Sequence, residues 1–249
     1  MYHAVGDSQQ TQGADPHYSV SSSIFSNHLS LIKNSISIEQ QYTNSKSIYT
    51  NAITFDDGHV SNYEIAFPLL LENNMTADFY VNSSTIGTKN HMSWPQLTEM
   101  VSAGMSIQSH GHEHVYISDL DDVNIKMQLE LSKNILEDKL GKSVFVFAPA
   151  GGRYDERVVR IGKELGYKLF SSSIPGIVSK TEQFILPRFA ITSTTSNRKI
   201  VNWQSRYSLD SIFEVSKYHM LKNAKKLLGN KSYEKVRALL LRDDEEWKQ

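Results

Sequence analysis

The stretch Ala52-Ile53-Thr54-Phe55-Asp56-Asp57-Gly58 runs a short, largely apolar segment into two adjacent carboxylates and a glycine. The pattern is that of a buried strand ending in acids, with glycine freeing the backbone to turn. In parallel α/β folds, ligands and catalytic groups collect at the C-terminal ends of strands, so paired acids at a strand mouth mark a candidate site as well as a fold class. The same residues also suit a plain capped turn, since Asp and Gly are ordinary turn residues and Asp N-caps helices well.

A second stretch, Ser109-His110-Gly111-His112-Glu113-His114, follows another apolar run, Met105-Ser106-Ile107. Neutral imidazole is the commonest side-chain metal ligand, and a carboxylate with two histidines is a usual protein contribution to a hydrolytic zinc. Three imidazoles within five residues therefore point to a metal, against the alternative of a pH-sensitive polar surface loop.

Around these stretches, strand-like and helical patterns alternate. Residues 62 to 73 read as a helix and Ala77 to Val81 as a strand. Trp94 to Ala103 reads as a helix with Ser93 as N-cap and Gly104 past its end. Residues 122 to 140 make a long helix on Ile125, Leu129, Ser132, Leu136 and Leu140, interrupted only by the serine and stopped by Gly141. Further strands are expected at Val144 to Phe147, Lys168 to Ser171 and Ile185 to Ile191, with a helix from Asp155 to Leu165. Such alternation predicts a parallel sheet, and site residues at several strand ends predict a barrel.

Thr54-Phe55-Asp56-Asp57-Gly58 and His110-x-x-x-His114 together resemble the polysaccharide deacetylase family, also called the NodB-homology group or carbohydrate esterase family 4. The first motif matches letter for letter; in the second, Gly111 stands where the family usually has a hydroxyl residue. The likeness runs over roughly positions 1 to 195. It implies a distorted (β/α) barrel, taken here over residues 1–200, while the helical pattern of Leu209, Ile212, Phe213, Tyr218, Leu221, Leu227 and Leu228 adds a helical C-terminal extension of the same domain over 201–249. It also implies Asp57, His110 and His114 as ligands of a divalent metal ion, zinc by ligand type, and Asp56 as general base. His112 and Glu113 become neighbours rather than ligands.

Two further departures qualify the match. The family's Arg-Pro-Pro-Tyr-Gly is replaced by Ala148-Pro149-Ala150-Gly151-Gly152-Arg153-Tyr154, so Ala148 supplies no cation for Asp56. The resemblance then assigns the oxyanion contact to the backbone N–H near Gly151, where close approach suits glycine; the plain alternative is a glycine-rich turn. The late Leu-x-His motif is missing, and His219 falls in a helical pattern. At the other end, Met1-Tyr2-His3-Ala4-Val5 resembles the opening of the circularly permuted branch that deacetylates poly-N-acetylglucosamine, which makes His3 the candidate general acid. Arg188, in Leu186-Pro187-Arg188, is the candidate replacement cation for Asp56, against the reading of a solvated arginine at a strand end.

The 249 residues, 39% hydrophobic, can fill one α/β barrel. A formal net charge of −1 without a Lys/Arg block argues against nucleic acid as partner. No run reaches the length of a membrane span and no charged start with an apolar core marks a signal peptide, so a cytoplasmic chain is expected, or an exported one if Met1 is a boundary within a longer protein. With no cysteine there are no disulfides or thiolate ligands. Residues 10 to 24 read as a loop near the site entrance, and Tyr63, Trp94, Tyr116 and Tyr154 as aromatics available to a sugar face.

The expected activity is metal-dependent removal of N-acetyl groups from an amino sugar in a polysaccharide or saccharide precursor, as in surface-polysaccharide synthesis. Two other readings stand beside it. One is a non-haem iron oxygenase, which shares the two-histidine, one-carboxylate ligand set but usually sits on antiparallel double sheets. The other is a degenerate glycan-binding relative, which has no reason to keep both Asp56 and Asp57.

Overall fold

In the computed structural model, which describes residues 1–46, 48, 50–178 and 183–223, the opening of the chain is extended and leads into β1 (Ala4–Val5). β1 pairs in parallel with β2 (Ser19–Val20), and helix α1 (Ser22–Leu31) follows with Ser21 as its N-cap. After α2 (Ile38–Ser45) come six short strands: β3 (Ile53–Phe55), β4 (Ala77–Val81), β5 (Ser106–Ser109), β6 (Val146–Phe147), β7 (Leu169–Ser171) and β8 (Ile185–Leu186). All six are parallel and lie in chain order, with the intervening segments on their outside. β3 to β7 are buried along their whole length, as expected of a parallel sheet covered on both faces.

The helices between the strands begin and end on ordinary local signals. α3 (Phe67–Glu72) has Pro68 in its first turn, and α4 (Trp94–Ser102) opens on a Ser93/Gln96 capping box. α5 (Asp122–Leu140) is capped by Asp121 and closed by left-handed Gly141, and α6 (Glu156–Glu164) is capped by Asp155. α7 (Asn197–Asn202) is followed by helical residues 209–223.

The sheet curls so that β3 and β8 face each other across a seam, and the first residues of the chain fill it. The Tyr2 N–H donates to the Thr54 carbonyl (2.8 Å), and the Asp56 N–H donates to the Tyr2 carbonyl (3.0 Å). On the other side the Ile191 N–H donates to the Met1 carbonyl (2.9 Å). Tyr2 then packs edge-on against Phe25 and stacks on Phe55, which stacks in turn on Phe79 with ring centroids 4.7 Å apart. The opening residues are therefore a strand of the barrel, and the expected distorted α/β barrel is the fold observed.

Several boundaries differ from the sequence reading. Residues 10 to 24 are not one loop: they hold a 3₁₀ turn (Pro16–Tyr18), β2 and the start of α1, elements too short to leave a period in the sequence. The expected helix over 62 to 73 begins as a π-helical turn (Asn62–Ala66) before α3. The strands at 144–147 and 185–191 shrink to two paired residues each. Residues 224–249, with Leu227, Leu228 and the charged stretch from Arg242 to Glu246, lie outside the described residues. Among those that are described, no helix is long and apolar enough to cross a membrane.

Candidate metal centre

At the end of β3 the two acids separate. Asp56 stays in the ladder with Tyr2, and its side chain turns into the barrel, where the residue is 3% exposed. Asp57 enters the left-handed region at φ 71°, which Asp tolerates better than most residues, and its carboxylate remains partly exposed at the barrel mouth.

β5 delivers the histidines. The His110 N–H donates to the Val81 carbonyl (2.9 Å), continuing the ladder, and its ring is buried. The chain then turns back, the Gly111 N–H donating to Ser109 Oγ (3.1 Å), until half-exposed His114 reaches the same point. Buried Gln128 of α5 clamps this turn. Its carbonyl accepts the His112 N–H (3.2 Å), its Oε1 accepts the Glu113 N–H (2.8 Å), and its Nε2 donates to Glu113 Oε2 (3.0 Å). His112 points elsewhere, with Nδ1 2.8 Å from Ser83 Oγ.

Asp57 Oδ1 stands 3.2 Å from His110 Nε2 and 3.3 Å from His114 Nε2, and one ligand atom from each of the three residues lies within 4.8 Å of the others. Donors held 2.0–2.1 Å from one tetrahedral ion stand about 3.3 Å apart. Both carboxylate–imidazole separations match that spacing, and one carboxylate oxygen with two imidazole nitrogens fits a divalent ion such as zinc, leaving positions for water and substrate. Burial pushes the Asp57 carboxyl up, but the hydrogen bonds from His110 and His114 outweigh it and hold the group well below the usual carboxylate range. The hydrogen bond to Asp57 raises His114 above the ordinary imidazole value against the opposing effect of burial.

Beneath this cluster lies a buried ion pair. Arg188 Nη1 donates to Asp56 Oδ1 (2.7 Å) and Nη2 to Oδ2 (2.9 Å), a bidentate fork. The guanidinium is itself held: Nη1 also donates to Thr54 Oγ1 (3.1 Å) and Nε to the Ser172 carbonyl (2.9 Å). Its carbon lies 5.1 Å from the centroid of the Tyr80 ring, whose hydroxyl is 2.6 Å from Ser171 Oγ. Burial alone raises Asp56, but the charge and hydrogen bonds of Arg188 more than reverse this and keep the group ionised.

His3 reaches the same region from the opening strand. Its ring packs on Tyr18 at 4.6 Å, and its buried Nδ1 has no hydrogen-bond partner among the described residues. Burial lowers its pKa below the ordinary value, while the charges of Asp56 and Asp57 pull it back up. Gly151 follows β6 at φ 60°, in a turn that brings backbone to the barrel mouth.

A family model described as polysaccharide deacetylase matches residues 42–170, more than half of the 249-residue chain. The chain belongs to the polysaccharide deacetylase family. YxkH of Bacillus subtilis, a curated protein that carries the family's name, is 29% identical over 130 residues, which make up 52% of this chain and 47% of YxkH; the chain thus spans about half of that relative's length. Among solved structures, the Streptococcus pyogenes deacetylase PplD in complex with acetate shares the fold with a TM-score of 0.73 at 24% identity, covering 82% of this chain and 96% of that one. A de-N-acetylase from Aggregatibacter actinomycetemcomitans gives 0.71 at 18% identity, over 81% and 97% of the two chains. IcaB from Ammonifex degensii gives 0.67 at 20% identity, over 82% and 94%.

In this family member the structure brings Asp56, Asp57, His110, His114, His3 and Arg188 to one end of the barrel. The sequence reading overlooked Gln128, Thr54, Tyr80 and Ser109 as the groups that hold them. The available signal for Gln128 was a polar side chain on the core face of α5. Ser132, which interrupts that helix's apolar row, is buried with its Oγ 2.9 Å from Ser109 Oγ.

Gln128→Leu removes the two side-chain bonds of the clamp, leaving the backbone one, and keeps the volume; it is expected to weaken zinc binding about 10- to 100-fold, read by competition with a chelating dye. Arg188→Ala strands a buried carboxylate and is expected to cost about 3–5 kcal/mol in denaturant unfolding at pH 7. Because the folded pKa of Asp56 is depressed, the pair stabilises above the unfolded carboxylate value of about 4 and its contribution is lost as pH falls through the folded value. The gap in unfolding midpoint between wild type and Arg188→Ala should therefore narrow as pH is taken below about 4, where the wild-type pair loses its contribution; a gap that stays constant there would assign Arg188 a role independent of that charge.

Proposed function

We propose that the chain is a metal-dependent hydrolase that removes the N-acetyl group from an amino sugar of a polysaccharide or saccharide precursor, releasing acetate. The observation that carries this reading is a buried, ionised carboxylate, Asp56, immediately beside a three-donor cluster at the mouth of the barrel. Amide hydrolysis near neutral pH requires an activated water, a stabilised oxyanion and a proton for the departing amine. A divalent ion held by Asp57, His110 and His114 supplies carbonyl polarisation and a more acidic water. Asp56 accepts the proton of the attacking water, and Arg188 holds it ionised and aimed. His3 donates a proton to the leaving nitrogen. The backbone N–H at Gly151 offers a hydrogen bond to the developing oxyanion.

The finer assignment we favour is the circularly permuted branch typified by poly-N-acetylglucosamine deacetylases, as a matter of chain topology and not of substrate. Its support is topological: His3 arrives on a strand inserted between β3 and the segment after β8, so an early residue occupies the seam next to the site. The fold is shared with proteins named a de-N-acetylase and IcaB. Zinc is the ion best matched to the donor set.

The deciding measurement is acetate release from a panel of N-acetylated glycans by metal-free protein before and after adding zinc. Zinc-dependent acetate is the expected result; bound zinc with no acetate from any glycan would favour the glycan-binding reading. In the same assay Asp56→Asn should retain zinc and lose turnover by two orders of magnitude or more. Alanine at Asp57, His110 or His114 should lose both zinc and turnover. His3→Ala should lower turnover with zinc content unchanged.

A further inference from the structure

Of the four aromatics near the motifs, Trp94 and Tyr154 pack against the core, and Tyr63 donates to Glu99 Oε2 (2.7 Å). Tyr116 does neither. It lies two residues past His114 and is 46% exposed. Its ring rests on the turn after β6 so closely that a Cβ on Gly151 would stand 2.6 Å from Tyr116 Cε1. The absence of a side chain at 151 is thus what lets this ring sit at the barrel mouth, on the backbone to which the oxyanion contact is assigned.

On the ring lies Arg153, its guanidinium carbon 4.0 Å from the centroid. The neighbouring arginines are spent. Arg157 bonds Asp155, Asp122 and the carbonyls of Ser118 and Leu120, and Arg160 bonds Asp122 and Glu164. Among the described residues Arg153 has only Asp119, at 3.9 Å and beyond hydrogen-bond distance, with both side chains more than half exposed. Stacking fixes the plane of the guanidinium without using its N–H donors, so the fork is oriented in advance and free to bind.

We infer that Arg153, seated on Tyr116, is a specificity residue for an oxyanion carried by the glycan, so that the preferred substrate is an acidic rather than a neutral saccharide. This rests on the deacetylase reading for the position of the acetylated sugar but not for the anion contact itself. Carboxylate and phosphate share the required chemistry, coplanar oxygen lone pairs that accept two parallel N–H bonds. Asp119 is then a weak internal competitor for the same fork.

The test titrates three matched N-acetylated oligosaccharides, one neutral, one carrying a carboxylate and one a phosphate, calorimetrically into the zinc-loaded protein, with acetate release followed in parallel. The wild type is expected to bind one of the acidic sugars about tenfold tighter than the neutral one at low salt, and which of the two is preferred names the anion. Arg153→Gln should abolish that preference, Tyr116→Phe should keep it because the ring and not the hydroxyl carries Arg153, and Asp119→Asn should enlarge it. Equal binding of all three, binding of none, or an unchanged preference in Arg153→Gln would overturn the inference. Preference without acetate release would leave it standing and count against the deacetylase reading alone.

Discussion

Removing a carboxylate from water is the constraint around which the barrel is built. Asp56 is nearly fully buried, and a lone ion there would either take up a proton or destabilise the fold. Arg188 prevents both, and it comes from the far edge of the sheet, 132 positions away in the chain. The pair therefore ties the first and last strands of the six-stranded sheet together across the seam. Thr54 on β3, Tyr80 on β4 and Ser172 after β7 all touch the guanidinium, so residues on or just past four strands, β8 included, meet in one buried polar network. Such a network is favourable only when each member is satisfied, which is why its geometry is tightly determined.

That network lets two neighbouring acids do different work. In a continuous strand, successive side chains point to opposite faces, and Asp56 obeys this rule. Asp57 departs from it by entering the left-handed region, which places its oxygen at the mouth with His110 and His114. One acid is gripped by a fixed cation; the other belongs to the three-donor cluster that could hold a mobile one. Arg188 keeps the lower acid ionised, whereas the upper one is shared between two imidazoles.

Legibility from sequence followed the range of each interaction. Motifs whose spacing is local, such as the paired acids at 56 and 57 and the imidazoles at 110 and 114, could be read directly, because the backbone alone brings those residues together. The long helix α5 was legible through its caps and its period, including the odd serine, whose purpose appeared only when Ser109 was found opposite it. The replaced third motif was the hardest to read. Ala148 to Gly152 carries neither the arginine nor the tyrosine of the family pattern, and a cation and a ring reach the same region from Arg188 and Tyr116 instead, one across the seam and one from the loop after β5.

The amino-acid sequence by itself determined the strand–helix alternation, the family and the identity of the chemical groups, since these depend on side-chain type, short-range periodicity and motif spacing. Tertiary structure alone decided which groups meet. The seam filled by residues 1 to 3, the bidentate grip of Arg188 on Asp56, the Gln128 clamp and the stacking of Arg153 on Tyr116 all join residues distant in the chain. Their contacts arise from the curl of the sheet and the burial of its interior, which no local pattern encodes.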